Sequence, residues 1–157
     1  MTLNASTAPT QANFYQARLL VVEDNPDHYA LIRSASQQVM PEVEVIWAMD
    51  AEKAYACLED CLLNQTILPK LLLLDLYLPD ADQSWNLLRA IKQRESPYQR
   101  IPVVVFSYSD RRDDINDFYM FGGTSYIIKP INYEQWLIYF QTIREYWWET
   151  VTLPGNR

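Results

Sequence analysis

Histidine occurs once in this chain, at His28, and cysteine twice, at Cys57 and Cys61. A single imidazole excludes histidine-rich metal sites and leaves a catalytic triad almost without a base. His28 falls one turn past an acidic pair on a predicted helix and reads as a surface residue. Two thiols four positions apart, with no further cysteine or histidine nearby, read as free cysteines of a reducing cytosol, since a zinc site wants four ligands. Positive charge is scarce: 13 Lys and Arg stand against 20 Asp and Glu, for a formal net charge of -7. That removes the clustered cations which nucleic-acid phosphates reward, so no direct nucleic-acid partner is expected. No apolar run approaches the roughly 18 residues of a transmembrane helix, and no membrane association is expected. The opening MTLNASTAPTQANFYQ lacks the basic start and apolar centre of a secretory signal and reads as a loose tail. Asn4-Ala5-Ser6 fits a glycosylation triplet, but without a secretory route it reads as chance.

What the chain does have is apolar and aromatic residues, 49% and 13% of its 157 positions. That suffices for one packed domain, which at this length buries roughly two-thirds of its unfolded surface. Short apolar runs predict strands at ARLLVV (17–22), VEVIWA (43–48), LLLL (71–74), IPVVVFS (101–107) and SYII (125–128). Apolar residues at helical spacing predict helices over 27–39, 51–63, 84–94, 111–121 and 133–148. Asp50 is placed to cap the second, and Gly122 and Gly123 to end the fourth. Strand and helix alternate five times. The fold class is therefore α/β, a doubly wound five-stranded parallel sheet with helices on both faces and right-handed crossovers. Ligands of such sheets sit beyond the carboxyl ends of the strands, where the strand order reverses.

Glu23 and Asp24 follow the first strand, Asp75 the third, Ser107 the fourth and Lys129 the fifth. The leucines of LLLLDLYLP thus anchor a strand that carries Asp75 to its working end. Carboxylates gathered on one rim repel, each pair by about 4 kcal/mol at 4 Å and an effective dielectric near 20. A hard divalent cation relieves that repulsion, and Mg²⁺ prefers such oxygen ligands. An aspartate held by the ion beside a lysine is placed to attack phosphorus and become an aspartyl phosphate. The ion and Lys129 would stabilise charge on the transferring group. Taken singly, Asp75 could be a helix cap, Lys129 a surface lysine and Tyr126 core filling. Five polar residues on one rim displace the bland reading of Asp75.

VVEDN, LLLLDLYLP, VVVFS and GGTSYIIKP resemble, in order and spacing, the receiver domain of two-component response regulators over roughly residues 17–148. The resemblance implies the flavodoxin-like receiver fold, with Asp75 as phosphoacceptor. It implies that Glu23 and Asp24 bind Mg²⁺ together with Asp75 and the backbone carbonyl of Tyr77. It further implies Ser107 as the switch hydroxyl, Lys129 as the partner of the phosphoryl group, and a cis Lys129–Pro130 bond. Tyr126 matches the aromatic whose rotation reports phosphorylation. A histidine kinase is the implied phosphodonor, and the protein is implied to be a signalling module rather than a turnover enzyme. More narrowly, YWWETVTLPGNR resembles the tail of the small single-domain regulators that partner cyanobacterial phytochromes, which dimerise and take phosphate from a light-regulated histidine kinase. On this reading residues 1–16 are a flexible N-terminal tail, 17–148 the receiver domain and 149–157 a C-terminal extension, in a cytoplasmic homodimer without an output domain.

Two positions depart from the family pattern. Tyr108 follows Ser107 where a small residue usually leaves room for the phosphodonor, and Gln83 replaces a glycine expected after Pro79. Tyr108 supports a rival reading, a pseudo-receiver that binds partners without phosphorylation. A second rival, an aspartyl phosphatase, needs an acid two residues after the nucleophile, where Tyr77 stands instead. RRDD at 111–114 reads as a solvated helix face. In the last helix Trp136, Leu137, Phe140, Ile143 and Trp147 form the core stripe. Tyr139, Tyr146 and Trp148 fall off that stripe and point to a partner surface.

Overall fold

The branched and leucine-rich runs at the centre of the sheet pair as strands buried on both sides. In β1 (Arg18–Val22), Leu19 and Val21 enter one core and Leu20 and Val22 the other. β3 (Leu71–Leu74) and β4 (Val103–Ser107) divide their side chains in the same alternating way. With β2 (Glu44–Ala48) and β5 (Ser125–Ile128) they form a parallel sheet of order β2-β1-β3-β4-β5. The computed structural model describes residues 9–78 and 80–154, so Pro79 and the chain ends at 1–8 and 155–157 lie outside the described residues.

α1 (Pro26–Val39) and α5 (Tyr133–Ile143) cover one face of the sheet. α2 (Ala51–Leu63), α3 (Ala81–Lys92) and α4 (Arg112–Met120) cover the other. Each start has a local cause. Asn25 caps α1 by accepting from the backbone N–H groups of Asp27 and His28, with Pro26 at the first helical position. Asp50 caps α2 as expected. Asp80 accepts from Asp82 and Gln83, so α3 begins three residues earlier than its apolar spacing indicated. After α4, Gly122 takes a φ of +95°, and a side chain on Gly123 would run into the Phe118 ring.

The C-terminal end differs from the expected single helix. α5 passes directly into a π-helical segment, Arg144–Thr150, closed by the Val151 N–H donating to the Tyr146 carbonyl at 2.9 Å. The extra residue in that wider turn shifts the facing register, and Trp147 and Trp148 are both buried. Trp148 is thus a core residue, which corrects its assignment to an outer face.

The N-terminal segment also differs from a loose tail over its described part. Pro9–Phe14 forms a 3₁₀ turn, and Asn13 is buried against the π segment. Its amide donates to the carbonyls of Trp148 (3.2 Å) and Val151 (2.6 Å) and accepts from the Leu153 N–H (3.1 Å). Asn13 thereby ties the 3₁₀ turn to residues 148–153.

Candidate functional site

The strand order reverses between β1 and β3, and the polar residues converge at the carboxyl ends of the strands around that point. Glu23 follows β1, where its N–H donates to Ala48 and its carbonyl accepts from the Trp47 indole at 2.7 Å. Asp75 follows β3, fixed by its N–H to Val22 and by the Ser84 hydroxyl, which donates to its carbonyl at 2.8 Å. Lys129 follows β5 and donates its N–H to the Ser107 carbonyl at 2.8 Å. Backbone pairing therefore delivers these side chains to one place, independently of their own interactions.

Lys129 is the centre of the site. Its ammonium lies 2.7 Å from Glu23 Oε2, 3.1 Å from Asp75 Oδ2 and 3.1 Å from His28 Nδ1. Its side chain is 0% exposed and that of Glu23 2%, so two carboxylates and one ammonium share a nearly dry space. Burial, reinforced by the charge of Asp75, pushes the Glu23 carboxyl up to about 7 despite its ion pair with Lys129. Burial, helped by the Lys129 charge, lowers the His28 pKa, so this imidazole is neutral at pH 7. Asp24 stands half-buried beside them but outside the group formed by Glu23, His28 and Asp75, whose ligand atoms lie within 4.8 Å of one another.

Ser107 is buried at the end of β4, and its hydroxyl accepts from the Ser109 N–H at 3.3 Å. Tyr126 turns its hydroxyl inward to the Ser109 carbonyl at 2.6 Å, and burial raises its pKa. The Tyr77 N–H donates to Asp75 Oδ1 at 3.2 Å, and the Tyr77 hydroxyl donates to Asp114 at 2.7 Å. Tyr108 is half-exposed over the mouth, its ring 5.2 Å from the Lys129 ammonium and edge-on to His28 at 5.3 Å.

Three expectations need correction. His28 is not a surface residue but part of the pocket. Its place in the first turn of α1, shortly after the acidic pair that follows β1, was the available signal. Asp114 of the RRDD run is not on a solvated face; it is 8% exposed and accepts from both Tyr77 and Ser109. Ser109 stands only five residues before it, but Tyr77 comes from the loop after β3, a partner that no sequence pattern marked. The Lys129–Pro130 bond is trans, since no cis peptide occurs among the described residues. A groove of about 710 Å³, lined by Thr66, Pro69, Lys70, Pro97 and Pro102, lies at the opposite ends of β3 and β4 and brings none of the rim residues together.

Residues 19–140 match the family model described as the response regulator receiver domain. The chain belongs to the response regulator receiver domain family. This receiver is 34% identical over 138 residues to the response regulator Rcp1 of Synechocystis sp., covering 87% of this chain and 92% of that one. It is 34% identical over 137 residues to a probable methanogenesis regulatory protein, FilR2, of Methanothrix harundinacea, covering 87% of each. Among solved structures it resembles the phosphorylated cyanobacterial phytochrome response regulator RcpA, with a TM-score of 0.80, 34% identity, and coverage of 90% and 100% of the two chains. It also resembles the Mn²⁺-bound form of Rcp1, with a TM-score of 0.76 and 33% identity over 88% of this chain and 99% of that one. The flavodoxin-like receiver fold is thereby shared with response regulators of known structure.

Proposed function

We propose that this receiver accepts a phosphoryl group on Asp75 from a histidine kinase and signals by a change of its own surface. The observation that carries this reading is the Asp75 carboxylate, held 3.1 Å from the buried ammonium of Lys129 at the strand-order switch point. In the transfer, the P–N bond of a phosphohistidine breaks as an Asp75 oxygen bonds to phosphorus, and the imidazole leaves with a proton. Lys129 meets the charge of the transferred group, and Ser107 supplies a hydroxyl beside it. The buried Glu23 and half-buried Asp75 carboxylates are a hard-oxygen donor set that fits a divalent ion such as Mg²⁺, with Asp24 and the Tyr77 carbonyl completing it. When bound, the ion supplies charge neutralisation for the incoming phosphoryl oxygens.

The likeness to the cyanobacterial phytochrome response regulator RcpA supports a phytochrome-type kinase as the donor, and the exposed rings of Tyr139 and Tyr146 support a homodimer built on the last helix. Among the described residues no helix is long and apolar enough to cross a membrane. The role is that of a switch whose one covalent event is stoichiometric, not of a turnover enzyme. Incubation with a small phosphodonor and Mg²⁺, followed by mass spectrometry of the intact protein, tests it. One added phosphoryl group on wild type and none on Asp75→Asn is expected; equal labelling of both would refute the assignment. A second reading, a phosphorylation-independent binding module, is favoured by the Tyr108 ring lying over the Lys129 ammonium, and a wild type that never labels would select it.

A further inference from the structure

His28 contributes to the pocket an atom that the reading above does not use. Its Nδ1 lies 3.1 Å from the Lys129 ammonium, the same ammonium that touches Glu23 Oε2 and Asp75 Oδ2. An ammonium has only hydrogens to give. Nδ1 is therefore the acceptor, its lone pair points at the cation, and the ring proton sits on Nε2. Two carboxylates and a bare imidazole nitrogen thus converge on a point where a cation already stands. Their ligand atoms lie within 4.8 Å of one another, a separation one metal ion can bridge. The ring is held in this pose from several sides. The His28 backbone N–H donates to the Asn25 cap at 3.3 Å, and the ring packs edge-on to Tyr108 at 5.3 Å and tilted to Trp136 at 6.4 Å.

We propose that His28 Nδ1 is a ligand of the divalent ion in this pocket, giving a mixed oxygen–nitrogen site that favours Mn²⁺ and Zn²⁺ over Mg²⁺. It deepens the metal-assisted reading above and rests on it. An all-oxygen donor set suits Mg²⁺, which binds carboxylates and gives up its water reluctantly. A neutral imidazole raises affinity for transition-metal and zinc ions far more than for Mg²⁺. His28 is then a specificity-determining residue of the pocket, selecting which ion assists the chemistry at Asp75.

His28 is the only histidine in the chain, so an imidazole nitrogen coupled to a bound paramagnetic ion must belong to it. Tag-free, chelator-stripped protein is loaded with Mn²⁺, which has little affinity for the thiols of Cys57 and Cys61, and examined by pulsed electron paramagnetic resonance. Modulation from a directly bound imidazole nitrogen is expected in wild type and is expected to vanish in His28→Gln while Mn²⁺ still binds. By calorimetry, His28→Gln should weaken Mn²⁺ at least ~10-fold, on the scale of losing a group that orients or forms a metal site. Mg²⁺ affinity should change by less than about twofold, because that ion gains little from imidazole. A merely structural role for His28 would weaken both ions alike and would overturn the assignment. Mn²⁺ bound without imidazole modulation in wild type, and lost in Asp75→Asn, would also overturn it while leaving the phosphoacceptor pocket intact. Failure of wild type to bind either ion would overturn both readings.

Discussion

Replacing Tyr108 by alanine should speed phosphorylation by small donors. The ring covers the mouth of the pocket, held by two contacts: the Lys129 ammonium at 5.2 Å from its centroid and the His28 ring edge-on at 5.3 Å. Tyr108 is 50% exposed, so the lower ends of the usual ranges apply. A cation–π contact at such a site contributes about 0.5–1 kcal/mol and an aromatic pair about 0.5 kcal/mol. Together they hold the ring over the pocket by about 1–1.5 kcal/mol. If a donor enters only when the ring has swung aside, the rate is scaled by the open fraction. Removing the ring then raises it roughly 5- to 13-fold, the conversion of that energy at 25 °C. The assay is the initial rate of phosphoryl incorporation from a small phosphodonor, followed by intact-protein mass. Tyr108→Phe keeps both ring contacts and should label at the wild-type rate. An alanine variant that labels no faster than wild type would refute the steric reasoning.

Trp148→Ala should destabilise the fold by about 3–5 kcal/mol, the usual cost of emptying a buried aromatic site, read as a lower urea midpoint. A loss below about 1 kcal/mol would show that the π segment does not pack as described. The Glu23 carboxyl has a folded pKa of about 7 against an ordinary 4.5, so its protonated form is favoured in the folded state. Its contribution to stability is fully present below pH 4.5 and is lost as pH rises through about 7. In the presence of a chelator, Glu23→Gln should flatten that part of the stability profile; an unchanged profile would count against the assignment. Tyr139 and Tyr146 remain 37% and 51% exposed. Replacing both by serine should weaken a homodimer in light scattering, and a wild type that stays monomeric at high micromolar concentration with and without phosphodonor would exclude the dimer.

Much of this molecule was legible in the order of its residues. The apolar runs fell where β1, β3 and β5 form, and Asp50 and Gly122 bounded helices as their chemistry required. Strand ends are local features of the chain, so Glu23, Asp75, Ser107 and Lys129 could be placed on one rim before any pairing was known. Parallel pairing then fixed their direction for all strands at once. A helix boundary such as that of α3 was less clear, because Asp80 caps it through backbone bonds that leave no apolar period.

What only the tertiary structure decided are contacts between segments distant in sequence and the registers that enable them. Trp148 points inward because the π turn shifts its facing, and Asn13 is buried because 135 positions later a carbonyl waits for its amide. Asp114 is internal because Tyr77 arrives from the loop after β3 to donate to it, beside the local donor Ser109. His28 enters the pocket only because α1 packs where Lys129 of a distant strand ends, within 3.1 Å of its ring nitrogen. Strand ends can be read from local periodicity, since burial on both faces leaves its mark residue by residue. A hydrogen-bond partner cannot, since its position depends on how every intervening element packs.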